Sequence, residues 1–255
     1  MSWTQPTPDQ TYVKALLYGK SGMGKTRAAG TINRDPKKVD TVVLNTEGGG
    51  WQTIKQQLGY TPYVETIDGY QMALDVVKKL ETDPGPIKNV IVDSVTELAA
   101  LVLEDIVGTR QPKIQDYGTL SKRLGALLRR LRDLPMNVVF TALAKEVTRD
   151  DVVVGEEPNI VGGTKATLPA LVDAVIYVCG VEDAKGKVSY MAQTAPAKGR
   201  VAKVRGAAMP TVVSTDDLWG HVMRSFDLPG APALPKPKIA EDSHKATNNE
   251  TEKDN

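Results

Sequence analysis

The chain of 255 residues contains one cysteine, Cys179, two histidines, His221 and His244, and two phenylalanines. A single thiol excludes disulfides within the chain and metal sites built from several thiolates, and it implies a reducing, cytoplasmic setting. With two histidines, one of them in a polar C-terminal stretch, zinc hydrolase chemistry and Ser-His-Asp catalysis have almost no residues to use. The formal charge is only +1, from 32 basic and 31 acidic residues, so no whole-chain field draws the protein to nucleic acid or to an anionic membrane. Any nucleic-acid contact must come from a local basic surface. No apolar run is long enough to span a bilayer, and Met1–Gln10 is polar, without the apolar core of a signal peptide.

What is present is an alternation of short β-branched apolar runs with segments of helical period, the pattern of a mostly parallel sheet with crossover helices. Strands are predicted at Val13–Tyr18, Thr41–Asn45, Asn89–Val92, Asn137–Ala142 and Ala174–Val178, with weaker ones at Tyr63–Thr66 and Val188–Gln193. Helices are predicted over Lys25–Ile32, Trp51–Leu58, Tyr70–Lys79, Ser94–Val107 and Tyr117–Leu134. The last carries Leu120, Leu124, Leu127, Leu128, Leu131 and Leu134 as a core-facing stripe that ends at Pro135. Thr148–Gly163 reads as an irregular hairpin or mobile loop. The expected organisation is a polar tail at 1–10, one α/β domain at 11–227, and a disordered tail at 228–255 rich in Pro, Ala, Lys, Asn and Glu.

The most specific signal is Gly19-Lys20-Ser21-Gly22-Met23-Gly24-Lys25-Thr26, a full G-x-x-x-x-G-K-[ST] match that follows an apolar strand and opens a helix. The glycines let the backbone curl so that N–H groups point at phosphate oxygens, and the helix adds its positive end. Lys25 is expected to reach the β- and γ-phosphates of ATP and Thr26 to ligate Mg2+. Asn89-Val90-Ile91-Val92-Asp93 supplies an apolar strand ending in a carboxylate, so Asp93 is the second expected magnesium residue, held through water. Asp93 or Ser94 could also cap the helix that follows.

A large group of P-loop ATPases places its water-activating glutamate directly after that aspartate; Ser94 stands there in this chain. The other candidate is Glu47, on the glycine turn Glu47-Gly48-Gly49-Gly50 after the Thr41 strand, where a carboxylate could orient the attacking water or simply be solvated.

These elements in this order, a phosphate turn, a strand leading to Glu47, then Ile91-Val92-Asp93-Ser94-Val95 and a leucine-bearing helix, resemble the core of the bacterial RecA recombinase. Leu168–Tyr177 is similar to a strand entry of RecA and RadA proteins. Lys203-x-Arg205-Gly206 is similar to the K-x-R-x-G element of RadA-type proteins, with its glycine one position early. The resemblance implies a RecA-like P-loop NTPase fold, with Lys203 and Arg205 reaching the ATP of a neighbouring subunit and Lys198 and Arg200 behind them. At the strand end where RecA has a glutamine, this chain has Phe140-Thr141-Ala142. Its size and layout resemble the small RecA-like ATPases of bacteriophages, a group that includes single-strand annealing recombinases. The resemblance implies ATP hydrolysis, single-stranded DNA held near 108–118 and 144–163, and assembly into a ring or filament, outside any membrane. The alternative is a nucleotide-dependent switch or assembly ATPase whose partner is a protein.

Overall fold

The computed structural model describes residues 11–228. Its centre is a ten-stranded sheet. Six parallel strands form the middle and one flank: β1 (Lys14–Gly19), β2 (Thr41–Asn45), β3 (Tyr63–Thr66), β4 (Asn89–Asp93), β5 (Asn137–Arg149) and β7 (Ala174–Glu182). Four strands pair antiparallel at the margins: β6 (Val152–Pro158), β8 (Val188–Gln193), β9 (Lys203–Val204) and β10 (Val212–Ser214). The order across the sheet is β10-β8-β7-β1-β5-β4-β2-β3, with β6 on β5 and β9 on β7.

The central strands are buried on both faces, which is why they read as continuous apolar runs. Alternate side chains of β1 divide between two cores. Leu16 and Tyr18 join the core beneath α3 (Tyr70–Thr82), α4 (Val95–Val107), α5 (Ile114–Asp133) and α6 (Thr164–Leu171). Ala15 and Leu17 face the other core, under α1 (Lys25–Gly30), α2 (Trp51–Leu58) and α7 (Leu218–Ser225). In α7 the Trp219 indole is buried and donates to the Ala28 carbonyl at 2.8 Å, fastening the end of the domain beneath the helix that follows the phosphate turn.

The predicted strands and helices are present, with shifted ends at several. α5 starts at Ile114 rather than Tyr117, because Asp116 accepts the Lys113 N–H at 2.6 Å and closes the first turn earlier. The strand predicted to end at Ala142 runs on to Arg149 and pairs with β6, so of the two readings of 148–163, irregular hairpin or mobile loop, the hairpin holds as far as Pro158, and α6 starts just beyond the segment. Leu228, expected to begin a disordered tail, is buried against the α7 core. The remainder of that tail and residues 1–10 lie outside the described residues.

Candidate functional site

β1 ends at Gly19 and α1 starts at Lys25, so the turn Gly19–Thr26 is held at the carboxyl edge of the sheet. Gly24 caps α1 with φ of 81°, a left-handed conformation that glycine adopts without steric cost. Lys25 Nζ donates to the Lys20 carbonyl at 2.9 Å, across its own turn. Burial lowers its pKa, while the charges of Glu47 and Asp93 oppose that shift. The ammonium therefore gains from a nearby phosphate.

Parallel pairing carries the other groups to this turn. The register Asn45↔Asp93 aligns the ends of β2 and β4, so Glu47 and Ser94 emerge side by side. The Ser94 hydroxyl donates to the Glu47 carboxylate, and its oxygen accepts the Glu97 N–H at 3.3 Å, capping α4. Capping thus falls to Ser94, and Asp93 is left for the cleft. Asp93 is only 2 % exposed. It accepts Thr26 Oγ1 on Oδ2 at 2.8 Å and Thr141 Oγ1 on Oδ1. Burial raises its pKa, opposed by those two hydrogen bonds. A cation in the cleft would favour its ionised form. Gly50 lies so close that an added Cβ would stand 2.5 Å from Asp93 Oδ2, so glycine at this point of the β2–α2 turn makes room for the carboxylate.

Together these groups border a cleft of about 280 Å³, lined by Gly22, Gly24, Lys25, Thr26, Glu47 and Asp93. Among the described residues no three His, Cys, Asp or Glu side chains cluster as a metal cage. Magnesium takes one or two protein oxygens and completes its shell with phosphate and water. Thr26 and Asp93 are the pair fitted to it.

A family model for the AAA domain matches residues 11–206. The chain belongs to the AAA-domain family. It is a P-loop NTPase, and its mostly parallel sheet flanked by helices is the architecture expected of one. No curated protein matches the chain.

In this AAA-domain protein the four basic residues within 198–205 divide between two places. Lys203 and Val204 pair with Val175 and Ala174 at the start of β7, level with Leu16 and Ala15 of β1. Lys203 therefore lies about 10 Å of strand below Gly19. Arg205 lies lower, donating to the Ala170 carbonyl at 2.6 Å and standing 3.5 Å from Asp173. Lys198 and Arg200 are instead at the carboxyl edge, where with Lys20 and Met23 they line a cavity of about 450 Å³. There Arg200 sits over the Tyr177 ring and donates to Glu156 at 2.8 Å. Lys20 binds Glu146 at 2.8 Å and stands 3.6 Å from Glu156, so the phosphate turn is joined to the β5–β6 hairpin.

Sequence reasoning missed Arg27, Gln57 and Tyr190 as lining of the cleft. Tyr190 comes from β8, outside the parallel core, and would lie 3.2 Å from a Cβ placed on Gly24. No local pattern announces such a contact. Thr141, read as the residue standing where RecA has a glutamine, is fully buried and committed to Asp93.

Proposed function

We propose that the protein binds ATP with Mg2+ on Gly19–Thr26, hydrolyses it, and works as a RecA-like homo-oligomer on single-stranded DNA in phage recombination or annealing. The observation that carries the hydrolytic part is the meeting of Glu47 with Asp93, Thr26 and Lys25 at one cleft, from three separate strand ends. Glu47 orients the attacking water, and Ser94 holds its carboxylate. Lys25 and the turn's N–H groups bind the phosphates, and Thr26 with Asp93 would hold the magnesium ion. Bound there, that ion neutralises charge on the phosphate oxygens.

The DNA part is supported by the sequence resemblance and by the state of the charges on the β5–β6 hairpin. Glu157 is paired with Lys165 at 2.6 Å and Lys145 at 3.4 Å, and Glu156 with Arg200, so these acids repel a DNA strand less than their number suggests. Lys203 and Arg205 do not line their own chain's cleft and sit near the start of β7, below the phosphate turn, so a contribution from either to hydrolysis would come from a neighbouring subunit. A second reading, a switch ATPase with a protein partner, is favoured by one observation. Val152, Val153, Val154, Val181 and Val188 are exposed on the two hairpins at this edge, an apolar surface suited to protein contact.

Steady-state ATPase measurements with and without a single-stranded oligonucleotide test both parts. Hydrolysis above the Lys25→Ala level, raised severalfold by the oligonucleotide, is the expected result. Activity no greater than that of Lys25→Ala would overturn the hydrolytic reading; activity indifferent to DNA would leave the protein-partner reading in its place.

A further inference from the structure

Met23 fastens the phosphate turn to β7. It stands between Gly22 and Gly24, whose φ of 75° and 81° give the turn its curl. The pairing of β1 with β7 ends at Tyr18↔Tyr177, and β7 continues to Glu182 with no strand paired to its β1 side among the described residues. On that open edge the Gly180 N–H donates to Met23 Sδ at 3.2 Å. A thioether is a weak acceptor, yet here it satisfies a backbone donor that β1 leaves unpaired. A Cβ on Gly180 would stand 3.5 Å from the same sulfur, so turn and strand are in close contact.

The sulfur is also within reach of solvent. Met23 is half-buried and, with Cys179 and Gly180, lines the cavity of about 450 Å³ beside the β5–β6 hairpin. The exposed Val153 and Val154 share that lining, so the cavity opens outward and admits a small oxidant. Cys179 is the poorer target, because burial raises its thiol pKa and keeps it out of the reactive thiolate form.

We propose that Met23 is a redox-sensitive anchor, whose oxidation to the sulfoxide by a peroxide releases the phosphate turn from β7 and weakens nucleotide binding. The sulfur lone pair attacks one peroxide oxygen, and the S–O bond forms as the O–O bond breaks. A proton passes to the departing oxygen, which leaves as water when the oxidant is hydrogen peroxide. Sulfur loses two electrons and the peroxide gains them. The new oxygen does not fit between sulfur and nitrogen: an N–H···O bond alone needs about 2.9 Å, nearly the whole present N···S separation. The sulfoxide, now polar, therefore withdraws from β7, and the turn loses its tie to the strand. The effect on affinity rests on the nucleotide site proposed above; the release itself does not.

The test uses the full chain before and after limited treatment with hydrogen peroxide, each protein compared with its own untreated sample. Peptide mass spectrometry locates the added oxygen. Titration with a fluorescent ATP analogue reads affinity, and amide hydrogen exchange over 19–24 and 178–182 reads the anchor without nucleotide. Oxidation at Met23 should lower affinity about three- to tenfold, the worth of one hydrogen bond, and speed exchange in both segments. Methionine sulfoxide reductases should restore both, and Met23→Leu should respond in neither. The proposal fails if Met23 stays unoxidised, if its sulfoxide leaves exchange or affinity unchanged, or if Met23→Leu responds as the wild type does. It also fails if a thiol reductant alone restores the treated protein, which would place the effect at Cys179. A chain that binds no nucleotide before treatment refutes the nucleotide reading instead, and exchange alone then decides the anchor.

Discussion

Lys14 offers a stringent check on the packing beneath the site. It is 7 % exposed at the start of β1, and its Nζ donates to the Leu134 carbonyl at 2.8 Å and to the Met136 carbonyl. Burial pulls its pKa from 10.5 down to about 8, against the raising effect of Asp173 and Asp133 and with a smaller lowering from Arg132. That displacement corresponds to about 3 kcal/mol that disfavours the folded state while the ammonium is charged. Between the two pKa values the unfolded chain binds more protons than the folded one, so this contribution to stability rises with pH. The cost is fully present well below pH 8 and vanishes above 10.5. Lys14→Met removes the titration but leaves the two carbonyls without their donor, so its effect at neutral pH combines opposing terms of about 1–3 kcal/mol each. The change with pH is cleaner. Urea unfolding of both proteins at constant ionic strength should show the wild type gaining about 2.5 kcal/mol on Lys14→Met between about pH 7 and pH 10. Taking the difference cancels Tyr18 and Tyr60, whose pKa values are raised by burial and whose contributions run the other way at alkaline pH. A difference that stays flat, or that moves in favour of the variant, would refute the buried, charged state of Lys14.

Glu47→Gln should retain ATP binding while slowing turnover by roughly two to four orders of magnitude, because the amide keeps the contact with Ser94 and loses the base. Turnover within a few-fold of wild type would assign the water-orienting role elsewhere. For Lys203 and Arg205 the decisive experiment is mixing. Arg205→Ala subunits combined with Lys25→Ala subunits should regain ATPase activity if one sound P-loop meets one sound arginine across an interface. Co-assembled mixtures that show only the sum of the separate activities would place the action of Arg205, if it has any, within its own chain.

The phosphate turn was legible because its chemistry is local. A run of eight residues with glycines at the left-handed positions, between an apolar strand and a helix, needs no distant partner to take its shape. The same holds for the parallel strands, whose burial on both faces writes itself as unbroken β-branched runs, and for the leucine stripe of α5. Strand order and register are another matter. That Asp93 lies beside Thr26 depends on β4 and β1 both flanking β5, and that Glu47 meets Ser94 depends on the β2–β4 register; neither is encoded within a single segment. β9 is only two residues long, too short to carry a period, and its antiparallel pairing with the start of β7 sends Lys203 and Arg205 to the edge opposite the phosphate turn. Glu156 lies in the segment read as an irregular hairpin or mobile loop, yet tertiary packing buries it between Tyr177 and Arg200, which both donate to its Oε2. The sequence by itself determined the groups that can bind phosphate, through short-range backbone geometry and apolar period. Only the tertiary structure decided which carboxylates and cations share the cleft, because that follows from pairing between strands far apart in the chain.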